Sequence, residues 1–225
     1  MHLQVPDRGH RAGAELTAHA AGGARVGILG GTFNPPHIGH LICAQEAHAQ
    51  LALDRVVLMP AGQPPHKQVS ADPGAEARLA MCEAAVGDDE RFAVSRLELD
   101  RAGRSYTVDT LKALHDQHPQ DDLTFIVGGD MARSLPTWRE PEAVLELATL
   151  AVAERAGSER EDIRGELRGL VTATGTDERV RFFDMPRIDV SSSLVRERVA
   201  TGRPIRYLVP DAVAAAIAQN GWYRA

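Results

Sequence analysis

From Arg25 onward the chain repeats one unit, a short run of branched and apolar residues followed by a longer stretch with apolar positions at helical spacing. The short runs, 26–29, 56–59, 92–95, 123–127, 150–153 and 180–183, read as strands, because such side chains suit a buried pleated surface. The longer stretches, 40–53, 75–86, 108–118, 141–148, 161–170, 192–200 and 210–219, read as helices. Parallel neighbours need crossover connections, and these are normally helical. The order therefore predicts an α/β fold, a doubly wound parallel sheet with helices on both faces. Ligands of such a sheet sit at the carboxyl ends of its strands.

With 225 residues, 44% of them hydrophobic, the chain can bury one sizeable core. Residues 25–225 are expected to form a single domain, and 1–24, rich in Ala, Gly and His without periodicity, a flexible extension. A net charge of -6 argues against a general binder of nucleic acid or membrane surfaces, which would need summed positive charge. Any anion site must then be local. Cys43 and Cys82, the only cysteines, belong to no paired motif, and no apolar run is long enough to span a bilayer. A reduced, cytoplasmic location is expected; whether the chain forms a homo-oligomer stays open.

The first strand breaks into Gly30-Gly31-Thr32-Phe33-Asn34-Pro35-Pro36-His37-Ile38-Gly39-His40. Paired glycines allow close backbone approach, the prolines stiffen the turn, and a helix opening at His37 or Ile38 offers first-turn amides and a positive dipole end to an anion. His37 and His40, three apart on a helix, share a face and can reach one phosphate. The same residues could instead be a plain turn with surface histidines, or half of a metal site; no Cys or carboxylate stands at a recognisable zinc spacing. Near the other end, Val190-Ser191-Ser192-Ser193-Leu194-Val195-Arg196 also follows a strand and opens a helix. It can be a second phosphate cradle, or a serine cap with a solvated arginine.

Taken together, the two strings resemble the signatures of the HxGH nucleotidylyltransferase superfamily, with His37-Ile38-Gly39-His40 as the core tetrad and Val190 to Arg196 as the second element. Three further segments resemble its bacterial nicotinate mononucleotide adenylyltransferase branch, and the likeness covers most of the chain from Arg25. The resemblance implies a Rossmann-like nucleotidylyltransferase fold. It also implies transfer of the adenylyl group of ATP to nicotinate mononucleotide, giving nicotinate adenine dinucleotide and pyrophosphate, with Mg2+ accompanying ATP and no protein ligand to the metal evident.

By the same resemblance, His37, His40 and Arg196 are catalytic, and ATP is held by Gly30, Gly31, Thr32, Phe33, His37, His40, Gly128, Asp130, Arg155, Ser191, Ser192, Ser193 and Arg196. Asn34, Lys67 in Pro64-Pro65-His66-Lys67, Thr107 in Ser105-Tyr106-Thr107 and Trp138 would meet the mononucleotide. Thr107 opens a helix, where amides can take a carboxylate. The Gly128-Gly129-Asp130 carboxylate can accept from ribose hydroxyls, and Trp138 can stack on a pyridine ring or fill the core. Besides Val190 and Ser193, mild replacements in the second element, two positions depart from the family pattern: Asn34 stands where many relatives carry Asp, and Ala156 follows Arg155 where Pro is usual. The alternatives are another transferase of the same fold, acting on nicotinamide mononucleotide or phosphopantetheine, and a non-catalytic nucleotide-binding regulator.

Overall fold

The computed structural model describes residues 23–64, 71–154 and 160–224. Six parallel strands, β1 (Arg25–Gly31), β2 (Arg55–Pro60), β3 (Phe92–Val94), β4 (Asp122–Gly128), β5 (Thr149–Glu154) and β6 (Val180–Asp184), form one sheet in the order β3-β2-β1-β4-β5-β6. All six expected strands are present within a few residues of the positions read from the pattern. The helices are α1 (Ile38–Gln50), α2 (Ala75–Val86), α3 (Leu97–Asp100), α4 (Thr107–Gln117), α5 (Gly129–Ser134), α6 (Pro141–Leu147), α7 (Arg160–Thr174), α8 (Ser192–Ala200) and α9 (Asp211–Asn220). The short α3 and α5 were not expected. Neither has the length over which a helical period can be read.

The period of two along each strand sorts its side chains between two cores. Val26, Ile28, Val57, Met59, Phe125, Val127, Leu150 and Val152 face the layer of α4, α6 and α7, meeting Leu111, Leu114, Leu145 and Leu167. Leu29, Val56, Leu58, Ile126 and Ala151 face the other way, toward Ala44 and Ala47 of α1 and Cys82 of α2. Burial on both faces explains why the strands read as nearly continuous apolar runs. Gly27 lies on the second face, where an added Cβ would stand 2.7 Å from the Leu53 side chain, so its lack of a side chain lets Leu53, in the loop after α1, pack against the sheet.

A third cluster joins Met81 of α2 to Val195 of α8 and to Val213 and Ile217 of α9. It brings the carboxyl-terminal helices against α2, beside the loop that leaves β1. Chain direction reverses between β1 and β4: from β1 the connections run through β2 to β3, and the chain then returns to β4 on β1's other side. In open sheets of this kind the ligand crevice lies at that junction.

Because Ile28 is fully buried at the centre of β1, Ile28→Ala is expected to cost ~2–5 kcal/mol. The change should appear as a lower urea midpoint with an unchanged slope.

Candidate active site

A cleft of about 1350 Å³ opens along the carboxyl ends of the strands. Small-molecule sites usually measure roughly 300–1,000 Å³, so this one exceeds the usual size. It is bordered by Gly30, Gly31, Thr32, His37, Gly39 and His40, from the end of β1 to the start of α1, and by Ser105, Tyr106 and Thr107 at the start of α4. Gly128, Gly129, Asp130 and Trp138 also border it. Residues far apart in sequence thus meet around one space.

The turn after β1 is held from several directions. His37 takes an extended backbone (φ -139°, ψ 170°) before α1, and its amide donates to Nδ1 of His40 over 3.1 Å. The two imidazoles stack with centroids 3.7 Å apart, and Phe33 meets His40 edge-on at 4.9 Å. A Cβ on Gly39 would lie 3.0 Å from Nδ1 of His37. The missing side chain therefore makes room for the His37 ring.

The first turn of α1 is also less open than a free helix start. The amide of Ile38 donates to the carbonyl of Leu208 at 3.0 Å, and that of His37 is taken by His40. Buried amides need partners, so imidazole N–H groups carry more of any anion site here than was expected. Since Nδ1 of His40 accepts a hydrogen bond, its neutral ring carries the proton on Nε2. Burial lowers the pKa of His37 from 6.5 to about 4. Burial, then repulsion from His37, lowers that of His40 to about 3. Both rings are neutral donors at physiological pH.

The serine string arrives from the far end of the sequence. Ser192 Oγ donates to the Pro35 carbonyl at 2.8 Å, and an Arg196 guanidinium N–H donates to the Asn34 carbonyl at 2.7 Å. A second guanidinium nitrogen reaches Ser193 Oγ at 3.1 Å. Ser191 is the cap of α8, its Oγ accepting from the Leu194 amide at 3.2 Å. Phe33 and Asn34 are buried and do not border the cleft. They shape the turn from behind. Lys67 and Arg155 lie outside the described residues. Trp138 packs edge-on against Phe125 at 6.0 Å, and its indole N–H donates to Ser134 Oγ, so one tryptophan both borders the cleft and braces its wall.

This arrangement sits on a fold shared with solved transferases. The cytidylyltransferase-like family matches residues 28–198, a span running from the first strand to α8. The chain belongs to that family. Within it, a probable nicotinate-nucleotide adenylyltransferase of Desulfitobacterium hafniense (strain Y51) is 42% identical over 200 residues, covering 89% of this chain and 96% of that protein. One of the same description from Thermus thermophilus is 44% identical over 200 residues, covering 89% of this chain and 100% of the relative. In three dimensions, nicotinic acid mononucleotide adenylyltransferase of Plasmodium falciparum, solved with NaAD, aligns with a TM-score of 0.70 at 16% identity, over 89% of this chain and 97% of its own. That last likeness is one of fold.

Two residues near the cleft could not be picked out from the sequence. Arg78 on α2 is 1% exposed; its guanidinium donates to the carbonyls of Thr32 (3.0 Å), Ala61 (2.7 Å) and Gly62 (3.2 Å) and pairs with Asp72. It ties the exits of β1 and β2 together. The available signal was an arginine on the apolar face of a helix, beside buried Leu79, Met81 and Cys82. Glu98 on α3 borders the cleft and accepts from Thr110 Oγ1 at 2.6 Å. Burial raises its pKa against hydrogen bonds from Thr110 and Ser105.

The histidine shifts are measurable. In the free protein the ring titrations of His37 and His40 followed by NMR should have midpoints below about 5, in keeping with values of about 4 and 3; midpoints near 6.5 would contradict the buried geometry. Since the folded rings refuse protons that the unfolded chain accepts, these two groups should cost stability as pH falls from 6.5 toward those values.

Proposed function

We propose that this chain transfers the adenylyl group of ATP to nicotinate mononucleotide, releasing pyrophosphate and forming nicotinate adenine dinucleotide, a step in NAD biosynthesis. The observation that carries the proposal is the cleft itself, which is lined both by the stacked His37–His40 pair and by the opening of α4 and Trp138. Relatives at 42% and 44% identity are described as nicotinate-nucleotide adenylyltransferases. In this reading residues 25–225 act as one nucleotidylyltransferase domain in the cytoplasm, with small molecules as its substrates. Among the described residues no helix is long and apolar enough to cross a membrane.

The mononucleotide's 5'-phosphate oxygen attacks the α-phosphorus of ATP, a P–O bond forms, and the bond to the bridging oxygen breaks as pyrophosphate leaves. The nucleophile is already an anion, so no general base is required, and positioning with charge stabilisation does the work. His40 Nε2–H and His37 donate to the phosphates as charge moves onto the leaving group. Arg196, poised beside the turn through Asn34 and Ser193, reaches the β- or γ-phosphate, while Gly30, Gly31 and Thr32 allow close approach of the chain. Asp130 takes the ribose hydroxyls. The Thr107 amide at the start of α4 takes the pyridine carboxylate, and Trp138 stacks on the ring.

Mg2+ would enter as the counter-ion of ATP, held by its phosphates, where it would screen their charge.

Purified protein with ATP, Mg2+ and nicotinate mononucleotide should release pyrophosphate, and release should be slower with the nicotinamide form; no release with either would overturn the proposal. His40→Ala should lower turnover by at least about a hundredfold, the scale of a lost preorganised donor. Trp138→Ala should raise KM for the mononucleotide and leave KM for ATP nearly unchanged. Equal losses for both substrates, with a lower melting temperature, would assign Trp138 to the core alone.

A further inference from the structure

Tyr223 is the third residue from the end of the chain, far in sequence from the phosphate turn and outside the segment matched by the family. It is nevertheless buried, at 8% exposure, and its hydroxyl donates to Oδ1 of Asn34 at 2.6 Å. The chain is bent to bring it there. Gly221, in the left-handed region at φ 66°, ends α9, and Tyr223 itself adopts φ 65°, an angle that a non-glycine residue holds only where its surroundings impose it. The ring is packed in the cluster of Met81, Val195, Val209, Val213 and Ile217. Burial raises the phenol pKa, which keeps the hydroxyl a donor at any physiological pH.

Asn34 is 2% exposed and its own Oδ1 and main-chain carbonyl are both held from the carboxyl-terminal part of the chain, the first by Tyr223 and the second by Arg196. Three residues later the chain reaches His37. We infer that Tyr223 is a positioning residue for nucleotide transfer: by anchoring the Asn34 side chain it sets the turn that presents His37 and His40 to the triphosphate. Its contact is with the turn, never with substrate. Removing the hydroxyl leaves a buried acceptor without its partner, a loss the turn can relieve only by shifting.

This inference rests on the adenylyl-transfer reading, and binding of a non-hydrolysable ATP analogue, measured by calorimetry, separates the two. If the unaltered protein binds no analogue, the functional reading fails. If it binds, Tyr223→Phe should weaken the analogue by about tenfold, the order expected for one unsatisfied buried acceptor. KM for the mononucleotide should stay within about twofold. Unchanged affinity with only a lower melting temperature would overturn the inference, because a purely structural tyrosine would behave in that way. A second pair of variants leaves Tyr223 in place. Asn34→Asp keeps an acceptor for the phenol and should hold analogue affinity within about threefold, whereas Asn34→Leu, of similar size without one, should lose about tenfold. Equal affinities for these two would equally overturn it.

Discussion

Everything at this site depends on where β1 stops. Flanked by β2 and β4 and buried on both faces, β1 has no freedom of position. The turn that follows is fixed at its start by the sheet and at its end by α1. Between those points it carries polar groups into a place with little water. The rest of the molecule supplies partners for them: Arg78 for the Thr32 carbonyl, Arg196 for Asn34, Ser192 for Pro35 and Leu208 for the Ile38 amide. Groups held in this way are preorganised: under the proposed function, charge developing on a phosphate would meet donors that need not move.

The electrostatics follow from the same confinement. Burial disfavours a positive charge on either imidazole of the stacked pair, and for His40 repulsion from His37 adds to it, so both pKa values fall well below 6.5. Neutral rings still donate through N–H. Under the proposed function they would offer a triphosphate directed hydrogen bonds without placing two positive charges side by side in the free protein. Positive charge beside the turn comes from Arg196, hydrogen-bonded to the Asn34 carbonyl, while that of Arg78 beneath it is paired with Asp72. In a chain of net charge -6, the proposed anion site would rely on such local donors.

Much of this was legible in the sequence, and the parts that were not share a physical reason. Strands buried on both faces announce themselves as apolar runs, so all six were visible, as were the longer helices. The two short helices α3 and α5 carry too few residues for a period. Motif residues with special backbone or donor chemistry, Gly30 to His40 and Ser191 to Arg196, stand out in the amino-acid order itself, and the fold brings the two strings into contact. The meaning of individual members was harder to read. Gly39 clears space for His37, Asn34 faces Tyr223 within the protein, and Ser191 caps α8. Arg78 and Tyr223 act through contacts spanning 46 and 189 positions, and one sequence contains no signal for a hydrogen bond across that separation.

The central claim is that the turn after β1 holds the triphosphate through His37 and His40. A crystal structure of the protein with a non-hydrolysable ATP analogue tests it most directly. The account predicts phosphate oxygens within hydrogen-bond distance of the Nε2 atom of His40 and of the His37 ring, with the nucleoside lying toward Gly128 and Asp130. A triphosphate bound elsewhere in the cleft, with both rings facing only solvent, would contradict it.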